Sequence, residues 1–137
     1  MSYQKEETIQ VLYNTCLGRW NPSDKAMALY NARKKAENPA FVEVVQYGLW
    51  LERHDPVLVD LFYELGNKFD EDCSATKVRK ISKKYKDYYY IENTEGYEDI
   101  IIAMDRYHLD KVKTILQNDL LTDKEKINEM KKNLRLS

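Results

Sequence analysis

The chain has 137 residues, of which 22 are basic and 23 acidic, for a formal net charge of −1. A single domain of this length can bury roughly 68% of the surface its unfolded chain exposes, so it needs neither disulfides nor a metal to hold a core. Balanced charge gives no overall field aimed at nucleic acid or anionic lipid, and no apolar run approaches the ~20 residues that cross a bilayer.

Local signals read as helix from end to end. Residues 4–17 place Ile9, Leu12, Tyr13, Cys16 and Trp20 on one stripe, with Glu6 and Glu7 near the start, where the helix dipole favours anions. Gly18 suits the left-handed stop. Ser23 caps a second helix over residues 24–37, with Ala26, Met27 and Tyr30 turned inward. Asn38 with Pro39, and Asp55 with Pro56, are then one device used twice. A short polar side chain accepts the first orphan amides, and the proline at the first helical position gives up no donor. The spacing predicts a buried core helix over residues 39–53 and a one-sided helix over residues 56–68, carrying Leu58, Leu61, Phe62, Leu65 and Phe69.

Ser74 is read as the cap of a fifth helix over residues 75–87, with Val78, Ile81, Ser82 and Tyr85 inward. Tyr88 to Ile91 have no helical period and suit a short strand or a loop. A helical region follows to Gln117, in which Tyr97, Ile100, Ile101, Met104 and His108, then Leu109, Val112, Ile115 and Leu116, recur on one face. Thr122 and Glu125 fit a capping box opening a last helix, whose thin stripe of Ile127, Met130 and Leu134 packs at an edge. The expected architecture is all-α: one domain over residues 1–137, a compact bundle of about seven short helices joined by short loops.

Residues 96–116 resemble one ankyrin repeat. Ile100, Ile102 and Ala103 stand at the first-helix positions, and His108, Leu109, Asp110, Val112, Lys113, Ile115 and Leu116 at the turn and second helix. The chain departs from the family at Asp99, Ile100 and Ile101, where Thr-Pro-Leu-His is expected, and at Tyr107, where a glycine belongs. No second copy lies upstream, so the resemblance implies a helix–turn–helix hairpin with a break near Tyr107 and no partner.

Chemistry-bearing constellations are sparse. The chain has two histidines, His54 and His108, two cysteines and four glycines. Paired Glu-x-x-His, His-Glu-x-x-His, paired Cys-x-x-Cys and Gly-x-Ser-x-Gly patterns do not occur, and Asp105 with His108 makes one i, i+3 pair. Asp70, Glu71, Asp72 and Cys73 lack the spread of ligands an EF-hand requires. We therefore expect no catalytic, metal or cofactor site. The outstanding segment is residues 77–90, where Lys77, Lys80, Lys83, Lys84, Tyr85, Tyr88 and Tyr89 form the expected interaction surface. On a helix, Lys77, Lys80 and Lys84 would share a strip beside exposed aromatic rings.

The expected function is a small non-catalytic protein acting on a protein partner, as an adaptor, inhibitor or immunity-type factor. Eleven tyrosines and two tryptophans supply residues enriched at binding hot spots. Self-association through a face carrying Trp50 and Tyr63 is a variant of this reading. The alternative is a nucleic-acid-binding regulator using residues 77–90. No membrane partner is expected. Cys16 and Cys73, with no secretory signal, point to reduced thiols and a cytoplasmic location.

Overall fold

A computed structural model describes residues 6–44 and 51–134. Among them are four α-helices and four strands: β1 (Thr8–Asn14), α1 (Asp24–Glu37), α2 (Pro56–Leu65), β2 (Thr76–Ser82), β3 (Tyr89–Thr94), β4 (Tyr97–Ile102), α3 (Met104–Leu116) and α4 (Asp123–Asn133). The strands form two antiparallel pairs, β1 with β2 and β3 with β4. The expected all-α, seven-helix bundle is thus overturned in favour of a mixed α and β fold.

The β1–β2 pair is the middle layer. Its register sets Ile9 opposite Ile81 and Leu12 opposite Val78. Because successive side chains point to opposite faces, Leu12 and Val78 turn toward the helices while Ile9, Val11, Tyr13 and Ile81 turn toward β3 and β4. On the helix side, Leu12, Trp20, Ala26, Tyr30, Leu51, Leu58, Val59, Leu61 and Phe69 form the main core. On the other side, Val11, Ile81 and Ile100 form a second one, bordered by Tyr85, Tyr89 and Ile91.

Burial on both faces explains the misread segments. A strand covered on both sides needs no polar alternation, so its apolar residues can fall at helix-like intervals by coincidence. The stripe expected over residues 4–17 is in fact split, Ile9 and Tyr13 to one core and Leu12 to the other. Residues 76–82, expected inside a helix, are β2, in which Thr76, Val78 and Ile81 are β-branched and favour a pleated surface. Ser74 is no helix cap; its hydroxyl donates to Asp70 Oδ1 at 2.8 Å. The region resembling an ankyrin repeat is a strand, β4, followed by a single unbroken α3 through Tyr107.

The β3–β4 turn is made by Glu95 and Gly96, both at positive φ (54° and 102°). That geometry suits a tight hairpin turn and matches the strand twist. Gly96 also packs on the backbone of Gly18, where an added Cβ would fall inside the van der Waals envelope of Gly18 N, C and O.

Three of the expected helix caps hold. Ser23 accepts from Ala26 N at the start of α1, Asp55 accepts from Val57 N before Pro56 in α2, and Thr122 with Glu125 closes a capping box on α4. Asn38 and Pro39 behave differently. Asn38 ends α1, and its side chain accepts from Ala40 N in a local turn. Residues 39–44 and 51–54 are not helical, so the buried core helix expected over residues 39–53 is wrong where it is described. Its remainder, Val45 to Trp50, lies outside the described residues, as do the first residues of the helix expected over 4–17.

Candidate interaction surface

Residues 77–90 are not the helix on which the expected surface was drawn. As a strand, β2 separates its cations: Lys77 and Arg79 lie on the face toward β4, and Lys80 lies on the opposite face. Arg79 Nη1 donates to Ile100 O at 3.1 Å. Lys83, in a 3₁₀ turn, pairs with Glu7 at 3.2 Å, and Lys84 pairs with Glu6 at 3.7 Å. The Tyr85 and Tyr88 rings hold Tyr107 in edge-on contacts with centroids 5.0 and 5.4 Å away. Tyr88 also donates to Asp110 Oδ2 at 2.8 Å, a bond that pushes its hydroxyl pKa upward. Tyr89 borders the second core, and its hydroxyl meets His54 Nδ1. Burial first, and then the Glu52 carboxylate, pushes the Tyr89 pKa up to about 12. Tyr85, Tyr88 and Tyr89 are therefore half-buried and already engaged by neighbours within the protein.

A buried polar node joins the layers. Arg53 and Glu98 form a two-pronged ion pair, Nη1 to Oε1 at 2.7 Å and Nη2 to Oε2 at 2.9 Å, while the guanidinium stacks 3.6 Å from the Trp20 ring centre. Glu98 Oε1 also accepts from Asn14 N at 2.7 Å, and the Asn14 amide donates to Gly18 O and Gly96 O. Every charge is answered within the protein, which makes the node an internal fastening. His54 borders a small cavity with Thr8, Gln10, Val59 and Asp60, and its Nε2 lies 3.3 Å from a Glu52 carboxylate oxygen without hydrogen-bonding geometry. Among the described residues, no group of three or more His, Cys, Asp or Glu side chains could hold a metal ion. None of their helices is long and apolar enough to cross a membrane.

The C-terminal helices are built differently from the rest. α3 leaves β4 after the single residue Ala103, whose N–H donates to Tyr88 O at 2.6 Å. A turn at residues 117–122 folds α4 back, and Lys126 Nζ donates to Leu116 O at 3.1 Å across the seam. Neither helix contains a buried residue. Leu109 and Leu116 are 53% and 52% exposed, Ile127 and Leu134 are 49% and 42%, and Leu120 in the turn is 92%.

Within each helix the paired aliphatics share a face. Leu109 and Leu116 are two helical turns apart, on the side of α3 opposite Tyr107, which is held by the tyrosine pair. Ile127 and Leu134 repeat that spacing on α4, away from Glu125, Asn128, Glu129 and Lys132, which line the cleft on the far side of the seam. The sequence showed the stripes but suggested that they were core; what it lacked was any sign that nothing packs over them. Trp50, part of the face considered for self-association, lies outside the described residues, while Tyr63 is exposed and its hydroxyl donates to Gln10 Oε1. Comparison with protein-family models, curated proteins and solved structures finds no match for this chain.

Proposed function

We propose that this protein is a non-catalytic binding module, of the adaptor or inhibitor kind, which engages another protein through the outward face of α3 and α4. One observation carries the reading. Two helices of 13 and 11 residues contain no buried residue, yet with Leu134 at the end of α4 they present four aliphatic side chains at two-turn spacing about half exposed. A surface helix ordinarily turns such a stripe into the core, and contiguous exposed apolar area marks an interaction site. The nucleic-acid alternative loses its geometric support, since the basic strips it needed do not exist on a strand and two of its lysines already face carboxylates.

Site-specific photo-crosslinking in the native cell tests this. A photoreactive side chain at Leu116 or Ile127 should trap a discrete protein adduct, and one at the exposed Ala32 of α1 should not. Adducts of equal yield from all three positions, or none from the hairpin, would remove the proposal.

A further inference from the structure

The outward face carries charge in a pattern that specifies its partner. On α3, Arg106, Leu109, Lys113 and Leu116 follow one another at steps of three, four and three residues. On α4, Lys124, Ile127, Lys131 and Leu134 do the same, eighteen residues later. Steps of three and four keep side chains on one helical face, so each helix presents a row reading cation, aliphatic, cation, aliphatic. All four cations are exposed, and none forms an ion pair among the described residues. Elsewhere in the fold, lysines with a carboxylate in reach use it, as Lys83 and Lys84 do with Glu7 and Glu6. Asp110, four residues after Arg106 and three before Lys113, is engaged by the Tyr88 hydroxyl, and Asp105 and Asp123 stand in the first turns of their helices. There the helix dipole accounts for them.

From this we infer that the α3–α4 face docks an acidic amphipathic helix, whose apolar stripe lies along the seam over Leu109, Leu116, Ile127 and Leu134 and whose flanking carboxylates meet Arg106, Lys113, Lys124 and Lys131. The inference rests on the proposed binding function and adds the chemistry of the partner. A second copy of the chain fits poorly. Thirteen residues of helix span about 20 Å, and two helices packed 8–10 Å apart give a face of roughly 400 Å². Stable symmetric interfaces bury about 800 Å² per partner, and a two-fold axis through this face would set cation rows against cation rows. A membrane surface fits less well too. Helices that lie in the lipid interface carry tryptophan, phenylalanine and leucine on their apolar side, whereas this face has no aromatic residue. A single amphipathic helix laid along this seam would meet it through its own apolar anchors at i, i+3, i+4 and i+7.

The test is selection of helical peptides from a randomised display library on the full chain, with counter-selection on a Leu116→Ser, Ile127→Ser variant. The winners are then titrated, alongside phosphatidylserine vesicles. Enriched peptides should carry Asp or Glu flanking an apolar stripe. Lys113→Glu with Lys131→Glu should weaken them by about tenfold or more, as two attractive contacts become repulsive, while the circular dichroism spectrum stays that of the parent. Enrichment of neutral or basic peptides that still depend on Leu116 and Ile127 would overturn the acidic partner and leave protein binding at this face standing. If no enriched peptide depends on those two residues, both readings fall. Tight vesicle binding that the Lys→Glu pair abolishes, with no peptide enriched, would assign the face to lipid and overturn the inference.

Discussion

Replacing Glu98 with leucine should be among the most damaging single changes the protein can suffer. The side chains of Arg53 and Glu98 are 9% and 4% exposed, so water cannot take over the interaction. Glu98 accepts three hydrogen bonds, two from Arg53 and one from the Asn14 backbone N–H. Removing one partner of a buried pair costs about 3–5 kcal/mol, because the other charge is left uncompensated. The orphaned Asn14 backbone N–H adds about 1–3 kcal/mol. A loss of about 4 kcal/mol or more is expected, which at roughly 4 °C per kcal/mol lowers Tm by about 15 °C. Arg53→Met combined with Glu98→Leu removes both charges and keeps an apolar chain over Trp20, so the double variant should be more stable than Glu98→Leu alone. Urea denaturation followed by circular dichroism, with the m-value checked for constancy, measures Glu98→Leu, Arg53→Met and the double variant against the parent. If Glu98→Leu falls within about 1 kcal/mol of the parent, or the double variant is as unstable as the two single losses summed, the node is not the fastening described.

Gly96→Ala forces a Cβ into Gly18 at a backbone φ of 102°, so it should destabilise by more than about 1 kcal/mol, read from the same denaturation curves. Thr122→Ala removes the α4 capping box and should cost about 1 kcal/mol locally, visible as faster amide exchange confined to residues 123–133 while global unfolding is little changed. Burial and Asp55 hold the Tyr30 hydroxyl above its ordinary pKa, and burial raises Tyr89 to about 12. A raised pKa in the folded state means stability that is complete below pH 10 and lost as pH climbs through 10 toward 12. Tyr89→Phe should flatten part of that loss in denaturation curves taken across this range, and an unchanged slope would count against a buried Tyr89.

What could be read from the sequence followed from how each element is specified. α1, α2 and α4 are announced by side chains that bond their own first turns, Ser23, Asp55 and Thr122, and such signals are local. The strands are specified by what lies above and below them. Ile9, Leu12 and Val78 look helical in isolation, and only their partition between two cores shows otherwise. Three consecutive isoleucines, Ile100 to Ile102, were the best available sign of β4, and the turn at Glu95 and Gly96 was the sign of its hairpin. Asn38 and Pro39 matched Asp55 and Pro56 residue for residue in chemistry, yet one pair makes a turn and the other a helix, because Leu58 and Leu61 have a core to enter. The candidate surface was half legible: its apolar spacing was evident, its exposure was not.

The order of the buried partners along the chain has a consequence for biosynthesis. β1 finds its neighbour β2 only after more than sixty residues of intervening chain, and Arg53 meets its counter-charge only with residue 98. A nascent chain halted at residue 90 would hold a guanidinium with no carboxylate to receive it, and an unclosed inner sheet face. Completion of the globular body should therefore come late in translation, with α1 and α2 able to pack on β1 and β2 first and the opposite sheet face closed only once the second hairpin arrives.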